Sequence, residues 1–376
     1  MAVNPTDFYD QLASHGVNFF TGVPDSLLKE FCLCIDDRIP SDKHIIAANE
    51  GNAVALAAGN YLASKSLPLV YMQNSGLGNA INPLLSLCDP DVYSIPMLVM
   101  IGWRGEPGVK DEPQHVKQGK IQLELLETMG IPFETISKDE NNFALKISTA
   151  VERAKSESKP TVLLIKKGTF DKYGKEIQKI DDQRMVREEA LSIVLENLDD
   201  NAIVVSTTGK TSREIFEIRE NNDQSHQQDF LTVGSMGHCS SIALGIALAK
   251  PHREVVCIDG DGAMLMHLGS LTSIASLKPK NFRHILMNNE VHESVGGQDT
   301  AAKNVKLSAI VEAVGSSKMF MAETITELKT NINNFMQGAG PSFLEIKIRP
   351  GSRANLGRPT IKPVDNKKDF MTFLDN

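Results

Sequence analysis

Glu254-Val-Val-Cys-Ile-Asp-Gly-Asp-Gly262 decides the fold. A β-branched apolar run of this length suits a strand covered on both faces. It ends in two glycines that flank a carboxylate, so the backbone can approach a ligand closely while Asp261 points at it. An Asp-Gly pair alone can also be an ordinary turn. After 26 intervening residues, which read as one helix and one strand, the chain reaches Met287-Asn-Asn-Glu290. In a parallel sheet the two strand ends are neighbours, and Asp261 and Asn289 can aim oxygens at one point. Oxygen donors of this kind suit a hard cation such as Mg²⁺, which completes its octahedron with phosphate oxygens and water.

Working outward, similar apolar runs recur at Leu69–Met72, Met97–Ile101, Thr161–Ile165, Ala202–Val205, His284–Met287 and Ser342–Ile346. Between them lie stretches with helical spacing or Ala-rich faces, at Glu50–Ser64, Gln118–Met129, Asn142–Lys155, Arg187–Leu198, Ser240–Lys250 and Leu268–Leu277. This alternation predicts parallel α/β architecture. The polar, charge-rich stretch from Lys166 to Arg184 has no core periodicity and divides the chain into domains 1–178 and 179–376. No residue-level repeat relates the halves. A length of 376 residues favours two domains.

The formal charge is −8, which argues against a broad nucleic-acid-binding surface, so any anionic ligand must be held by a few placed groups. The start carries no basic n-region followed by an apolar stretch, and no apolar run reaches the roughly 18–20 residues of a membrane span. The expectation is a cytoplasmic protein that engages neither membrane nor nucleic acid. Five cysteines without a CxxC pair are expected to be reduced and mostly buried.

Gly260-Asp-Gly262 followed by Asn288-Asn289 resembles the metal-diphosphate motif of the thiamine diphosphate-dependent decarboxylase family. The resemblance implies two thiamine-diphosphate-binding-fold domains, each a parallel sheet flanked by helices, with no room for a middle domain. It implies thiamine diphosphate and Mg²⁺ as cofactors, with Asp261, the Asn289 side chain and the Val291 carbonyl as metal ligands and Asn288 as the alternative register. Gly260, Gly262 and Ala263 would line the diphosphate. Glu290-Val291 departs from the family, where a smaller Gly-containing pair is more usual. Gly234-Ser235-Met236, ahead of a small-residue helix, is similar to the family's segment around the bent cofactor, with Met236 as an apolar wedge; alone, Met236 would read as core packing. Ser206-Thr-Thr-Gly-Lys-Thr-Ser212 is not a P-loop, because the position five before Gly209 is Val204 rather than glycine. Its Thr207, Thr208, Gly209 and Lys210 can still cradle part of a diphosphate.

The same resemblance makes Glu50 the carboxylate that engages the cofactor's pyrimidine ring, although a lone acid at a helix start can simply be an N-terminal charge. Asp25, in Gly22-Val-Pro-Asp-Ser26, which follows a short apolar strand, and His115, in a Gly-, Pro- and charge-rich loop, are implied as further catalytic groups. Asn74–Asn79 is another Gly-rich strand end that could line the pocket. The two-domain decarboxylases of phosphonopyruvate and sulfopyruvate are the branch this chain resembles, and Asn289–Gln298, Thr207–Arg213 and Gly351–Pro359 look like the phosphonopyruvate type. That implies the small-molecule substrate 3-phosphonopyruvate, consumed in phosphonate biosynthesis. Arg104, Lys110, His292 and Arg353 are candidate substrate contacts, each of which alone could be an ordinary surface residue. The family also implies a homo-oligomer with active sites between subunits. A sulfopyruvate decarboxylase or a non-catalytic subunit of the same fold are the competing readings.

Overall fold

The computed structural model describes residues 2–139, 141–174, 182–315 and 318–375. It divides into two units, Met1–Gln178 with Val295–Gln298, and Lys179–Ser294 with Asp299–Asn376. The boundary expected between residues 178 and 179 lies outside the described residues.

The first unit holds six parallel strands: β1 (Phe20–Gly22), β2 (His44–Ile46), β3 (Leu69–Gln73), β4 (Leu98–Gly102), β5 (Phe133–Ile136) and β6 (Thr161–Ile165), in the order β2-β1-β3-β4-β6-β5. The second holds β7 (Ile203–Ser206), β8 (Asp229–Leu231), β9 (Val255–Gly260), β10 (Phe282–Asn288), β11 (Lys318–Ala322) and β12 (Ser342–Lys347), in the order β11-β12-β10-β9-β7-β8. Read from its other edge, this second order is the first unit's order with each strand number raised by six. The halves therefore repeat one topology although their sequences show no repeat.

Helices cover both faces of each sheet, which is why the central strands are apolar throughout. In β9 the alternation sends Val256 and Ile258 into one core, with Ile285 and Leu344, and Val255 and Cys257 into another, with Phe282 and Leu286. Burying each such aliphatic side chain contributes roughly 1.5–3 kcal/mol.

The helix Glu50–Ser64 shows how local chemistry sets an element. The Asn49 side chain caps it by accepting from the Asn52 amide at 2.9 Å. Ala53, Val54, Ala57 and Ala58 form its buried face, and Lys65 ends it in the left-handed conformation at φ 60°.

Candidate active site

In an open parallel sheet, ligand sites form beyond the carboxyl ends of the strands, where the order reverses. In the first unit that point lies between β1 and β3. Asp25 follows β1, Glu50 follows β2, Asn74–Asn79 follows β3 and Arg104 follows β4, so these residues share one edge of the sheet.

Glu50 is the first residue of its helix and is only 5% exposed. Asn79 Nδ2 donates to its Oε2 at 2.7 Å. Gly76 lies so close that a Cβ there would overlap the Glu50 carboxylate, so this position requires glycine. Burial raises the Glu50 pKa above the usual range, with the Asn79 hydrogen bond opposing it. A carboxyl group disposed to keep a proton is suited to proton handling.

Asp25 is 1% exposed. The Leu27 amide donates to Oδ2 at 3.0 Å, while Oδ1 has no hydrogen-bond partner among the described residues. Burial raises its pKa to about 6 against the opposing Leu27 amide and Arg104 charge. Arg104 donates through Nε and Nη2 to Asp111 at 2.8 and 2.5 Å and through Nη1 to Ser26 at 2.9 Å. Burial works to raise Asp111, but Arg104 and the Gly105 amide hold it down at about 2. His115 lies in the helix Pro113–Lys120, where burial and then the Arg104 charge lower its pKa to about 4. At neutral pH it is an uncharged imidazole, able to donate or accept one hydrogen bond.

The raised Asp25 pKa has a measurable consequence. A carboxyl group that binds its proton more tightly folded than unfolded contributes stability that is complete below its unfolded pKa. That stability is lost as pH rises from about 4 towards 6 and above. Asp25→Asn, which keeps an acceptor for Leu27 but removes the charge, is expected to raise stability by about 3 kcal/mol at pH 7.5 and by almost nothing at pH 4. Melting temperatures of the two chains across this range check it; a difference independent of pH rules out a buried charge at Asp25.

In the second unit the reversal lies between β7 and β9. Thr207–Lys210 follow β7, Gly234–Met236 lie beyond β8, Gly260 closes β9, and Asn289 follows β10. Gly260 pairs with Met287, which brings Asp261 and Asn289 together, and the backbone N–H of Asn289 donates to the Asp261 carboxylate. Asp261 is 3% exposed and accepts from Thr300 Oγ1 at 2.5 Å. Burial raises its pKa to about 6 despite the Thr300 and Asn289 hydrogen bonds. The Asn289 side chain accepts from Val291 N at 3.2 Å and donates to Glu293 at 3.1 Å. Asn288 is committed elsewhere: fully buried in β10, it donates to Glu345 at 2.7 Å and accepts from Glu290 N at 3.2 Å. Asn288 is thus tied into the sheet, while Asn289 lies just past the end of β10.

Glu290 explains the departure from a glycine-containing pair. It adopts φ 64°, a left-handed conformation that costs a non-glycine residue roughly 1–2 kcal/mol. Lys347 at 2.7 Å and Arg184 at 3.4 Å pair with its carboxylate and oppose that cost. Val291 then forms an antiparallel bridge with Asp299.

Gly262 faces Met236 and His292: a Cβ added there would lie 3.4 Å from Met236 Cε and 3.3 Å from His292 Cε1. Thr208 Oγ1 accepts from Gly234 N at 3.0 Å, tying the strand-end loops together. Lys210 donates to Glu293 at 2.7 Å, and Arg187 donates to Glu293 at 2.9 Å and to both oxygens of Glu214. Two of the candidate substrate cations are engaged by carboxylates. Arg104 is held by Asp111 and Ser26, and Arg353 lies between Glu188 and Glu217. Neither stands as an unpaired cation for an anionic substrate, because each guanidinium already meets carboxylate oxygens. Lys110 is exposed in its loop. Reading the sequence also passed over Asn79, Asp111, Glu293 and Thr300 as partners of site residues. Asn79 and Asp111 sit in the Gly-rich loops that pointed to the site and Glu293 in the family-like stretch Asn289–Gln298, whereas Thr300 carries no local signal.

Comparison with known proteins agrees with this geometry. The thiamine pyrophosphate enzyme N-terminal TPP binding domain matches residues 6–126, and the C-terminal TPP binding domain matches residues 207–346. A phosphonopyruvate decarboxylase of Streptomyces hygroscopicus is 34% identical over 389 residues, covering 99% of this chain and 94% of its own length. The chain belongs to the thiamine diphosphate-dependent decarboxylases. A second phosphonopyruvate decarboxylase, from Streptomyces viridochromogenes, is 34% identical over 99% of the chain and 95% of its own length. A sulfopyruvate decarboxylase of Methanosarcina acetivorans is 27% identical over 99% of the chain and 98% of its own length. This decarboxylase is thus a carboxy-lyase with two thiamine-diphosphate-binding domains, each a parallel six-stranded sheet. No helix among the described residues is long and apolar enough to cross a membrane.

Proposed function

We propose that the chain converts 3-phosphonopyruvate to phosphonoacetaldehyde and CO₂, with thiamine diphosphate and Mg²⁺, as a step of phosphonate biosynthesis. The observation that carries the substrate is the 34% identity to phosphonopyruvate decarboxylases over almost the whole chain, against 27% to a sulfopyruvate decarboxylase. The active form is proposed to be a cytoplasmic homo-oligomer with active sites between subunits.

The residues fit both cofactors. Asp261, the Asn289 side-chain oxygen and the Val291 carbonyl are hard oxygen donors suited to Mg²⁺, and the buried Asp261 carboxylate, raised to about 6, is a negative charge that a cation would stabilise. Gly260, Gly262, Ala263 and Thr207–Lys210 would hold the diphosphate at the strand ends, with Gly234, Ser235 and Met236 against the bent centre. When bound, thiamine diphosphate supplies a carbon nucleophile and an electron sink for the departing carboxylate. Glu50 would hold a proton at the pyrimidine ring, a role that its burial and the Asn79 hydrogen bond suit. The neutral His115 and the buried Asp25 are the groups proposed to orient substrate and deliver the final proton. His292, beside Gly262 and Met236, would contact substrate. Lys110 is the remaining cation proposed for the phosphonate.

Sulfopyruvate is the second reading, favoured by the full-length relative and by the separate sulfopyruvate decarboxylase subunits, which are 33–34% identical over half of the chain or less. Release of CO₂ from phosphonopyruvate, sulfopyruvate and pyruvate, each with and without Mg²⁺ and thiamine diphosphate, tests the assignment. Phosphonopyruvate is expected to be turned over with the highest kcat/KM, and only with both cofactors. A higher kcat/KM for sulfopyruvate overturns the choice of substrate.

A further inference from the structure

Beneath the Asp261 loop, a second cluster of ligating side chains lies in the core on one face of the second sheet. Cys257 and Asp259 are two apart on β9 and so share a face. His284 is the cross-strand neighbour of Cys257 on β10. Cys239, the first residue of the helix Cys239–Ala249, closes the cluster from above. All four are at most 3% exposed.

Cys239 Sγ and Cys257 Sγ lie 3.8 Å apart, and the ligand atoms of these two cysteines and Asp259 are all within 4.8 Å of one another. A tetrahedral ion with metal–sulfur bonds of about 2.3 Å holds its two sulfurs about 3.8 Å apart. One Asp259 oxygen is used by the Gly260 amide at 2.9 Å. The other, Oδ2, faces His284 Nε2 at 3.5 Å, an ion-pair contact without well-formed hydrogen-bond geometry. The Phe282 and Phe343 rings stand at steep angles to the His284 imidazole and hold it in place. Buried polar atoms held at ion-pair distance without a well-formed hydrogen bond are costly in an apolar core, and an ion bound between the two thiols, Asp259 and the adjoining His284 would satisfy them.

We propose that Cys239, Cys257, Asp259 and His284 form a structural zinc site. Two thiolates, one carboxylate and one neutral imidazole make a four-coordinate borderline-soft donor set, distinct from the all-oxygen set at Asp261 and Asn289. Binding displaces the protons that the thiols and the His284 imidazole share, and joins β9, β10 and the start of the Cys239–Ala249 helix under the metal-diphosphate loop.

The test is metal analysis of the full-length chain, purified from zinc-supplemented medium without a histidine tag and exchanged into Mg²⁺ buffer. About one zinc per chain is expected, as for a closed structural site. Replacing the zinc by Co²⁺ is expected to give tetrahedral visible bands and a near-ultraviolet thiolate-to-cobalt band with the intensity of two thiolates. Cys257→Ser is expected to lose both, and Cys88→Ala, which alters a thiol of the other unit, to keep both. If Cys257→Ser fails to fold, the zinc content and cobalt spectrum of the unaltered chain decide. A wild-type chain with neither zinc nor a thiolate-to-cobalt band overturns the site and leaves a proton-linked thiol cluster, as does zinc retained in full by folded Cys257→Ser.

Discussion

Glu50→Gln is expected to slow decarboxylation by about 10²–10⁴-fold, the range for loss of a general acid–base group, while thiamine diphosphate still binds. The substitution keeps the shape of the side chain and an oxygen for the 2.7 Å bond from Asn79, so the packing against Gly76 survives. It removes the ability to take up and release a proton, which is what the raised pKa of this buried carboxyl group provides. Removing a buried charge also relieves a desolvation cost, so the melting temperature should hold or rise. These two readouts separate catalysis from structure. If Glu50 were only a helix N-terminal charge, Gln would lower stability slightly and leave turnover near normal. Steady-state CO₂ release together with calorimetric titration of the cofactor checks the prediction, and near-normal kcat sinks the assigned role.

The strands that could be read from the sequence are those buried on both faces. All seven apolar runs became strands, and the short strand before Gly22 became β1. The four strands that gave no signal, β2, β5, β8 and β11, are the four sheet edges. An edge strand is covered on fewer sides and needs no continuous apolar run: in β11 only Ala322 is buried, and in β5 only Ile136. The site shows the same division. Glycine-rich strand ends announce themselves locally, because close backbone approach demands glycine, and Glu50, Asp25 and Asp261 lie in or beside such turns, whereas Asn289 is found by its spacing from them. Their partners depend on long-range folding. Asn79 reaches Glu50 across 29 positions and Glu293 meets Arg187 across 106, and although both lie in stretches that stood out, nothing local says which residue each will meet. Charge was the least legible property. Arg104 and Arg353 could be named as candidate anion contacts, but their carboxylate partners Asp111, Glu188 and Glu217 could not be assigned before the chain was folded.

Asp261→Ala is expected to weaken Mg²⁺-dependent binding of thiamine diphosphate by more than about 100-fold, beyond the 10–100-fold that loss of an outer-shell partner causes. Asp261 is the one carboxylate in the proposed ligand set, and the Asn289 and Val291 oxygens are uncharged. Its loss therefore removes the only formal negative charge that the protein's own ligands place on the cation. Asn288→Ala supplies the contrast. Asn288 bonds to Glu345 and to the Glu290 amide inside the sheet, so its removal leaves a buried carboxylate short of a partner and should lower stability by roughly 1–3 kcal/mol. Its cofactor affinity should change far less than that of Asp261→Ala. Calorimetric titration with thiamine diphosphate at fixed Mg²⁺, repeated after chelation, distinguishes the two. An Asp261→Ala chain that binds the cofactor with wild-type affinity and the wild-type Mg²⁺ requirement would show that the strand-end carboxylate is not a metal ligand. A loss confined to Asn288→Ala would move the ligand set one residue back along β10.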